Sequence, residues 1–167
     1  MTLSEVNALA PADFVRQFGD IAEHAPWVAQ RAAEARPFAS VEAMIDAFQM
    51  SVRVAAEAEQ VALLKAHPDL AGRAARAGEL TADSSREQKG AGLDTLSDEE
   101  YAHFHRLNAD YKARFDIPFI YAVKGATKHD ILAAFEARLK ATRAEEFLTA
   151  LTQVLRIIRF RLSDRVR

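Results

Sequence analysis

Six glycines and five prolines are all that punctuate 167 residues, and they stand at the edges of periodic stretches rather than inside them. Between them run alanine, leucine, glutamate and arginine, residues that lose little freedom in a helix. The chain is therefore read as all-α: a single-domain bundle of about eight helices over residues 1–167. A chain of this length can bury well over half of its unfolded surface. Half of its residues are apolar and 28% are charged, the balance of a globular protein rather than a disordered one.

The helix starts can be placed from their chemistry. Pro11 and Pro26 suit the first turn of short helices, the first over 12–19. Ser40 is an N-cap before Val41, Met44, Ile45, Phe48 and Val52, whose spacing lays one apolar stripe along a helix expected to run toward Lys65. Pro68 disfavours helical backbone at His67, which puts that histidine at a helix end or a sharp corner. Residues 72–83 read as a partly helical surface crossing. Ser84 with Glu87 and Ser97 with Glu100 have the spacing of capping boxes, and Thr127 with Asp130 and Thr142 with Glu145 are further Thr-x-x-acid starts. The helix after Ser97 carries Tyr101, Phe104, Leu107, Asn108 and Tyr111 on one side and is expected to end near Phe115. Residues 119–123 are apolar and short, and with no partner strand in sight they are read as a buried extended segment.

Composition also removes several functions. With 22 basic and 24 acidic residues the formal net charge is −2, so no global positive field exists to attract nucleic acid. Without cysteine there is no disulfide, thiolate nucleophile or Cys-type metal site, which accords with a reducing compartment. The first ten residues lack the pattern of a secretory signal, and no apolar run approaches the roughly 20 residues of a membrane span. The final Arg165-Val166-Arg167 is not a peroxisomal address. The expectation is a cytoplasmic protein without membrane or nucleic-acid partners. Neither a nucleophile elbow nor a phosphate loop is present. His103 and His105, two apart on a helix, point to different faces and make a poor metal pair, so no metal is expected.

Three places remain for chemistry. An imidazole in general titrates near neutrality, and that of His67, fixed at a corner, can be aimed into a cleft; it could also simply cap a helix C-terminus. Glu87 and Gln88 offer an acceptor and a bifunctional amide side by side, although the Ser84 capping box would account for Glu87 unaided. In the C-terminal helix, Phe147, Leu151, Val154, Ile158 and Leu162 form the apolar stripe and Arg161 lies at its margin, whereas Arg156 and Arg159 project toward solvent. A half-buried guanidinium needs an acidic partner, carbonyls or an anionic ligand.

Taken together these segments resemble the 2-oxo-4-hydroxy-4-carboxy-5-ureidoimidazoline (OHCU) decarboxylase family. The resemblance rests on His67-Pro68-Asp69-Leu70-Ala71, Ser84-x-x-Glu87-Gln88-x-x-Ala91-Gly92-Leu93, Leu107-Asn108-x-x-Tyr111-x-x-Arg114-Phe115, Pro118-Phe119-Ile120-x-Ala122-Val123-x-Gly125 and Arg161-Leu162. It covers most of the chain from about Ser40 onward. It departs at Asp116-Ile117, where relatives often carry a Gly-aromatic pair. The resemblance implies a cofactor-free homodimer that converts a small ureidoimidazoline to (S)-allantoin and CO2 in urate catabolism. It further implies His67 as the essential catalytic residue, with Glu87, Gln88 and Arg161 holding polar groups of the substrate. Pro68, Ser84 and the main chain of Phe119, Ile120, Tyr121, Ala122 and Val123 would complete the pocket.

Overall fold

Aromatic side chains gather in two clusters, one in each of the two compact units into which the chain divides: Met1–Ala66 with Val154–Arg167, and His67–Gln153. A computed structural model describes residues 1–167, the side chain of Ala74 excepted. Among the described residues there are ten helices and no strand, and eight of the helices have seven residues or more, so the all-α reading holds. None of them is long and apolar enough to cross a membrane.

The first unit contains α1 (Leu3–Ala8), α2 (Pro11–Phe18), α3 (Pro26–Ala33), α4 (Val41–Arg53) and α5 (Glu57–Lys65). Pro11 and Pro26 open α2 and α3 as expected, where a missing N–H costs nothing. Phe14 on α2 meets Phe18, Phe38 and Phe48 at centroid distances of 5.0, 6.0 and 6.1 Å. Burying each such ring contributes about 1.5–3 kcal/mol.

Ser40 caps α4 through a bond from the Ala43 amide (3.0 Å), but the helix does not continue to Lys65. It stops at Arg53, and α5 starts afresh at Glu57. No glycine or proline marks this break. Two polar side chains seal it instead: the Ala56 amide donates to Glu59 Oε2 (3.1 Å), while Gln60 Nε2 donates to the carbonyl of Val52 (2.9 Å). Orphaned helix-end groups are thereby satisfied from the next helix, a solution that apolar periodicity does not reveal.

The second unit contains α6 (Arg73–Ala77), α7 (Ala82–Gly90), α8 (Asp98–Phe115) and α9 (Lys128–Arg138). The last helix, α10 (Arg143–Arg165), starts here and supplies its residues from Val154 onward to the first unit. The Ser97/Glu100 and Thr127/Asp130 boxes open α8 and α9, and Thr142 and Glu145 exchange reciprocal bonds at the start of α10. Helix α8 ends at Phe115 because Asp116 turns left-handed (φ 59°). This is the conformation glycine adopts most easily, so the departure at Asp116 falls where a side chain has a steric cost.

Residues 119–123 are neither helix nor strand. Phe119 stacks on Phe135 (centroids 3.6 Å apart) and receives Tyr111 edge-on (5.3 Å). Arg138 Nη1 donates to the carbonyl of Ile120 (2.6 Å), and the Ala122 amide donates to Gln153 Oε1 (3.0 Å). Arg138 is itself fixed by Glu146, whose Oε1 accepts from Arg138 Nε (2.5 Å) and from the Tyr111 hydroxyl (2.8 Å). Burial, the largest influence on Tyr111, pushes its hydroxyl well above the usual tyrosine range.

This network shifts the stripe expected on α10. Glu146 and Ala150 are buried where Phe147 and Leu151 were expected, and those two are only half-buried. The helix turns inward the residue that satisfies Tyr111 and Arg138, because a buried hydroxyl and guanidinium must be paired.

Candidate active site

His67 opens a turn, residues 67–72, that follows α5 and precedes α6; its side chain is buried. Pro68 restricts the backbone, and three features then hold the turn closed. Ala71 is left-handed (φ 51°), an uncommon state for a residue with a Cβ. Gly72 approaches so closely that an added Cβ would meet the Asp69 Cβ at 2.8 Å, so only glycine fits. Lys112 Nζ donates to Asp69 Oδ2 (2.6 Å).

Helix α7 supplies the polar face expected from Ser84, Glu87 and Gln88, but its start lies earlier than the sequence suggested. Thr81 is the N-cap, its hydroxyl accepting from the Ser84 amide, and the helix begins at Ala82. Ser84 is therefore inside the helix, and the capping-box explanation of Glu87 falls away. Spaced i, i+3 and i+4, the three residues share one face: Ser84 and Gln88 are buried and Glu87 is half-buried. Gln88 Oε1 accepts from the Ala71 amide (2.9 Å), which ties this face to the His67 turn and fixes which end of the amide is which. A cavity of about 290 Å3 takes in Ala71, Gly72 and Gln88, along with Ser85, Lys89 and Tyr101. His67, Ser84 and Glu87 are not among its lining residues.

Of the apolar segment, Phe119, Ile120, Ala122 and Val123 are buried and Tyr121 is half-buried. Two of its main-chain groups, the Ile120 carbonyl and the Ala122 amide, are engaged by Arg138 and Gln153. Arg161 belongs to the first unit and is fully in the α10 stripe, not at its margin, with only 4% of its surface exposed. Its Nη1 donates to Glu23 Oε2 (2.9 Å) and to the carbonyl of Ile21 (3.3 Å). The acidic partner that a buried guanidinium demands is thus Glu23, itself 2% exposed. Glu23, Lys112, Arg138 and Gln153 carry no distinguishing sequence pattern. Asn108 does, since it sits on the apolar side of α8.

The second unit thus carries a buried imidazole on a turn whose Ala71 amide is bonded to a helix face of hydroxyl, carboxylate and amide, groups that are chemically capable of acid–base work. A model of the OHCU decarboxylase family matches residues 7–163. The chain is 44% identical, over 99% of its length and 96% of the relative's, to a 2-oxo-4-hydroxy-4-carboxy-5-ureidoimidazoline decarboxylase of Haloferax volcanii. It is 40% identical to the uric acid degradation bifunctional protein PucL of Bacillus subtilis, matching 98% of this chain but 32% of that longer protein. Its fold superposes on a crystal structure of (S)-allantoin synthase with a TM-score of 0.81 and 28% identity, covering all of this chain and 54% of that one. The chain belongs to the OHCU decarboxylase family.

Proposed function

We propose that this protein is a cofactor-independent carboxy-lyase that converts 2-oxo-4-hydroxy-4-carboxy-5-ureidoimidazoline to (S)-allantoin and CO2 during urate degradation. The observation that carries the reading is the His67 turn: a buried imidazole on a strained, clamped backbone, bonded through Ala71 to the Ser84/Glu87/Gln88 face, in a chain of this family. Strain of this kind is stored where geometry has to be held for chemistry.

Loss of CO2 breaks a carbon–carbon bond and leaves its electron pair at the ring carbon, where the adjacent ring delocalises it. The chain has two tasks, to stabilise that charge and to deliver a proton from one face. His67 promotes bond cleavage through the substrate carboxylate or hydroxyl. Ser84, Glu87 and Gln88 grip the polar heterocycle; with Gln88 Oε1 already accepting from Ala71, its Nε2 is the end available to donate, so the substrate atom it meets is an acceptor. Pro68 and the main chain of 119–123 complete the pocket wall, held in shape by Arg138 and Gln153. In the first unit Arg161 is held by Glu23 and by the Ile21 carbonyl. Donors fixed in advance, rather than reorganised during reaction, make such stabilisation effective. The protein acts as a cytoplasmic homodimer without membrane or nucleic-acid partners.

The test is circular dichroism of allantoin formed from urate by urate oxidase and hydroxyisourate hydrolase, with this protein added and no metal supplied. Rapid growth of the (S)-allantoin signal beyond the spontaneous racemic decay is the expected result. An unchanged trace from folded protein would overturn the assignment.

A further inference from the structure

One peptide group of the His67 turn is gripped at both ends. Its carbonyl, that of Leu70, accepts from Asn108 Nδ2 (2.8 Å), and its N–H, that of Ala71, donates to Gln88 Oε1 (2.9 Å). The two side-chain amides come from different helices, α8 and α7, and both are buried, with 2% and 5% of their surface exposed. Asn108 makes its bond at a cost, since its Oδ1 is buried with no hydrogen-bond partner among the described residues.

The gripped peptide is the one whose orientation sets the left-handed φ of Ala71. Rotating that peptide by half a turn would exchange its N–H and C=O directions and return Ala71 to negative φ, relieving the steric cost that a Cβ incurs there. Such a flip would also point N–H toward the Asn108 donor and C=O toward the Gln88 acceptor, so each bond would become a repulsion unless both buried side-chain amides turned over with it. One turn further along α8, Lys112 holds Asp69 of the same loop.

We propose that Asn108 and Gln88 form a peptide clamp that locks the Leu70–Ala71 peptide in its strained orientation and thereby sets the position of His67. Asn108 is on this account a positioning residue of the reaction. Its effect on turnover rests on the function proposed above; the clamp itself does not.

Two measurements test the clamp on the protein irrespective of turnover. By NMR hydrogen exchange, the Ala71 amide, although it lies outside any helix, exchanges slowly, as core helical amides do; exchange at open-loop rates would overturn the clamp. In Asn108→Ala, the imidazole resonances of His67 move while those of His24, His103, His105 and His129 stay in place. In the coupled assay the same variant loses roughly 10- to 100-fold in kcat with KM little changed, as expected for a misplaced catalytic group. Adding Ala71→Gly restores part of that loss, because glycine holds positive φ without the clamp. Wild-type kcat and unmoved His67 resonances in Asn108→Ala would contradict the proposal. Should that variant not fold, the exchange rate of Ala71 in the wild-type protein decides the matter alone. A wild-type protein without turnover would remove the proposed function and leave the clamp to be judged by the two NMR measurements.

Discussion

Besides Asp116, which ends α8, two residues with a side chain are left-handed, His24 in a turn of the first unit and Ala71 in a turn of the second. The first presents Glu23 to Arg161, and the Ile21 carbonyl beside it accepts from the same guanidinium. The second is closed by neutral amides, Asn108 and Gln88, and by the half-exposed Lys112–Asp69 pair. A buried ion pair holds strongly but leaves a charge stranded if either partner is lost. Neutral amides fix direction without adding a buried full charge to the turn that carries His67. The comparison teaches that the same backbone strain can be anchored by a buried ion pair or by buried neutral amides backed by a half-exposed ion pair, and that the amides are found at the His67 turn.

The largest expected effect separates the turns by chemistry. His67→Asn should lower turnover by about 10^2- to 10^4-fold, the range of a general acid–base group, while circular dichroism shows an intact helical fold. Near-wild-type turnover would return His67 to the role of a helix cap. Next, Glu23→Ala strands Arg161 in the first unit and should cost about 3–5 kcal/mol in denaturant unfolding; a loss below about 1 kcal/mol would mean that the ion pair does not anchor its turn.

The buried network behind residues 119–123 gives a prediction in pH. The folded-state affinity of Tyr111 for its proton is raised above the ordinary value of 10.0. The folded protein therefore holds more protons than the unfolded chain above that pH, and stability falls as pH rises beyond about 10. Tyr111→Phe should flatten that slope in urea titrations between pH 9 and 11, while costing roughly 1 kcal/mol at neutral pH through the bond lost to Glu146. The smallest effect returns to the comparison. His24, exposed and left-handed, should tolerate glycine with a gain of about 1 kcal/mol in stability, whereas no change would show that the first turn is not strained.

Much of this was legible in the sequence because helix ends announce themselves. The Ser97, Thr127 and Thr142 boxes and the prolines at 11 and 26 mark starts that local chemistry alone dictates. What escaped depends on tertiary partners. The break after Arg53 is sealed by Glu59, which caps the start of α5 at Ala56, and by Gln60, which reaches back to the Val52 carbonyl of α4, and neither residue type signals a break. The true start of α7 at Thr81 was hidden by a second Ser-x-x-Glu spacing three residues later. At the candidate site, His67 could be placed at a corner because Pro68 forces one, and Gln88 stood out through its neighbour. The partners that give these residues their direction, Asn108 at Leu70 and Glu23 at Arg161, lie 38 and 138 residues away in sequence. Spacing within one helix carries no trace of such pairings.

The most direct test of the account is a crystal structure of this protein with (S)-allantoin bound. The account predicts the product in contact with His67 and with the Ser84, Glu87 and Gln88 face of α7, Gln88 Nε2 donating to one of its oxygens while Oε1 keeps the Ala71 amide. Product seated away from His67, or a Gln88 amide that abandons Ala71 to bind it, would contradict that account.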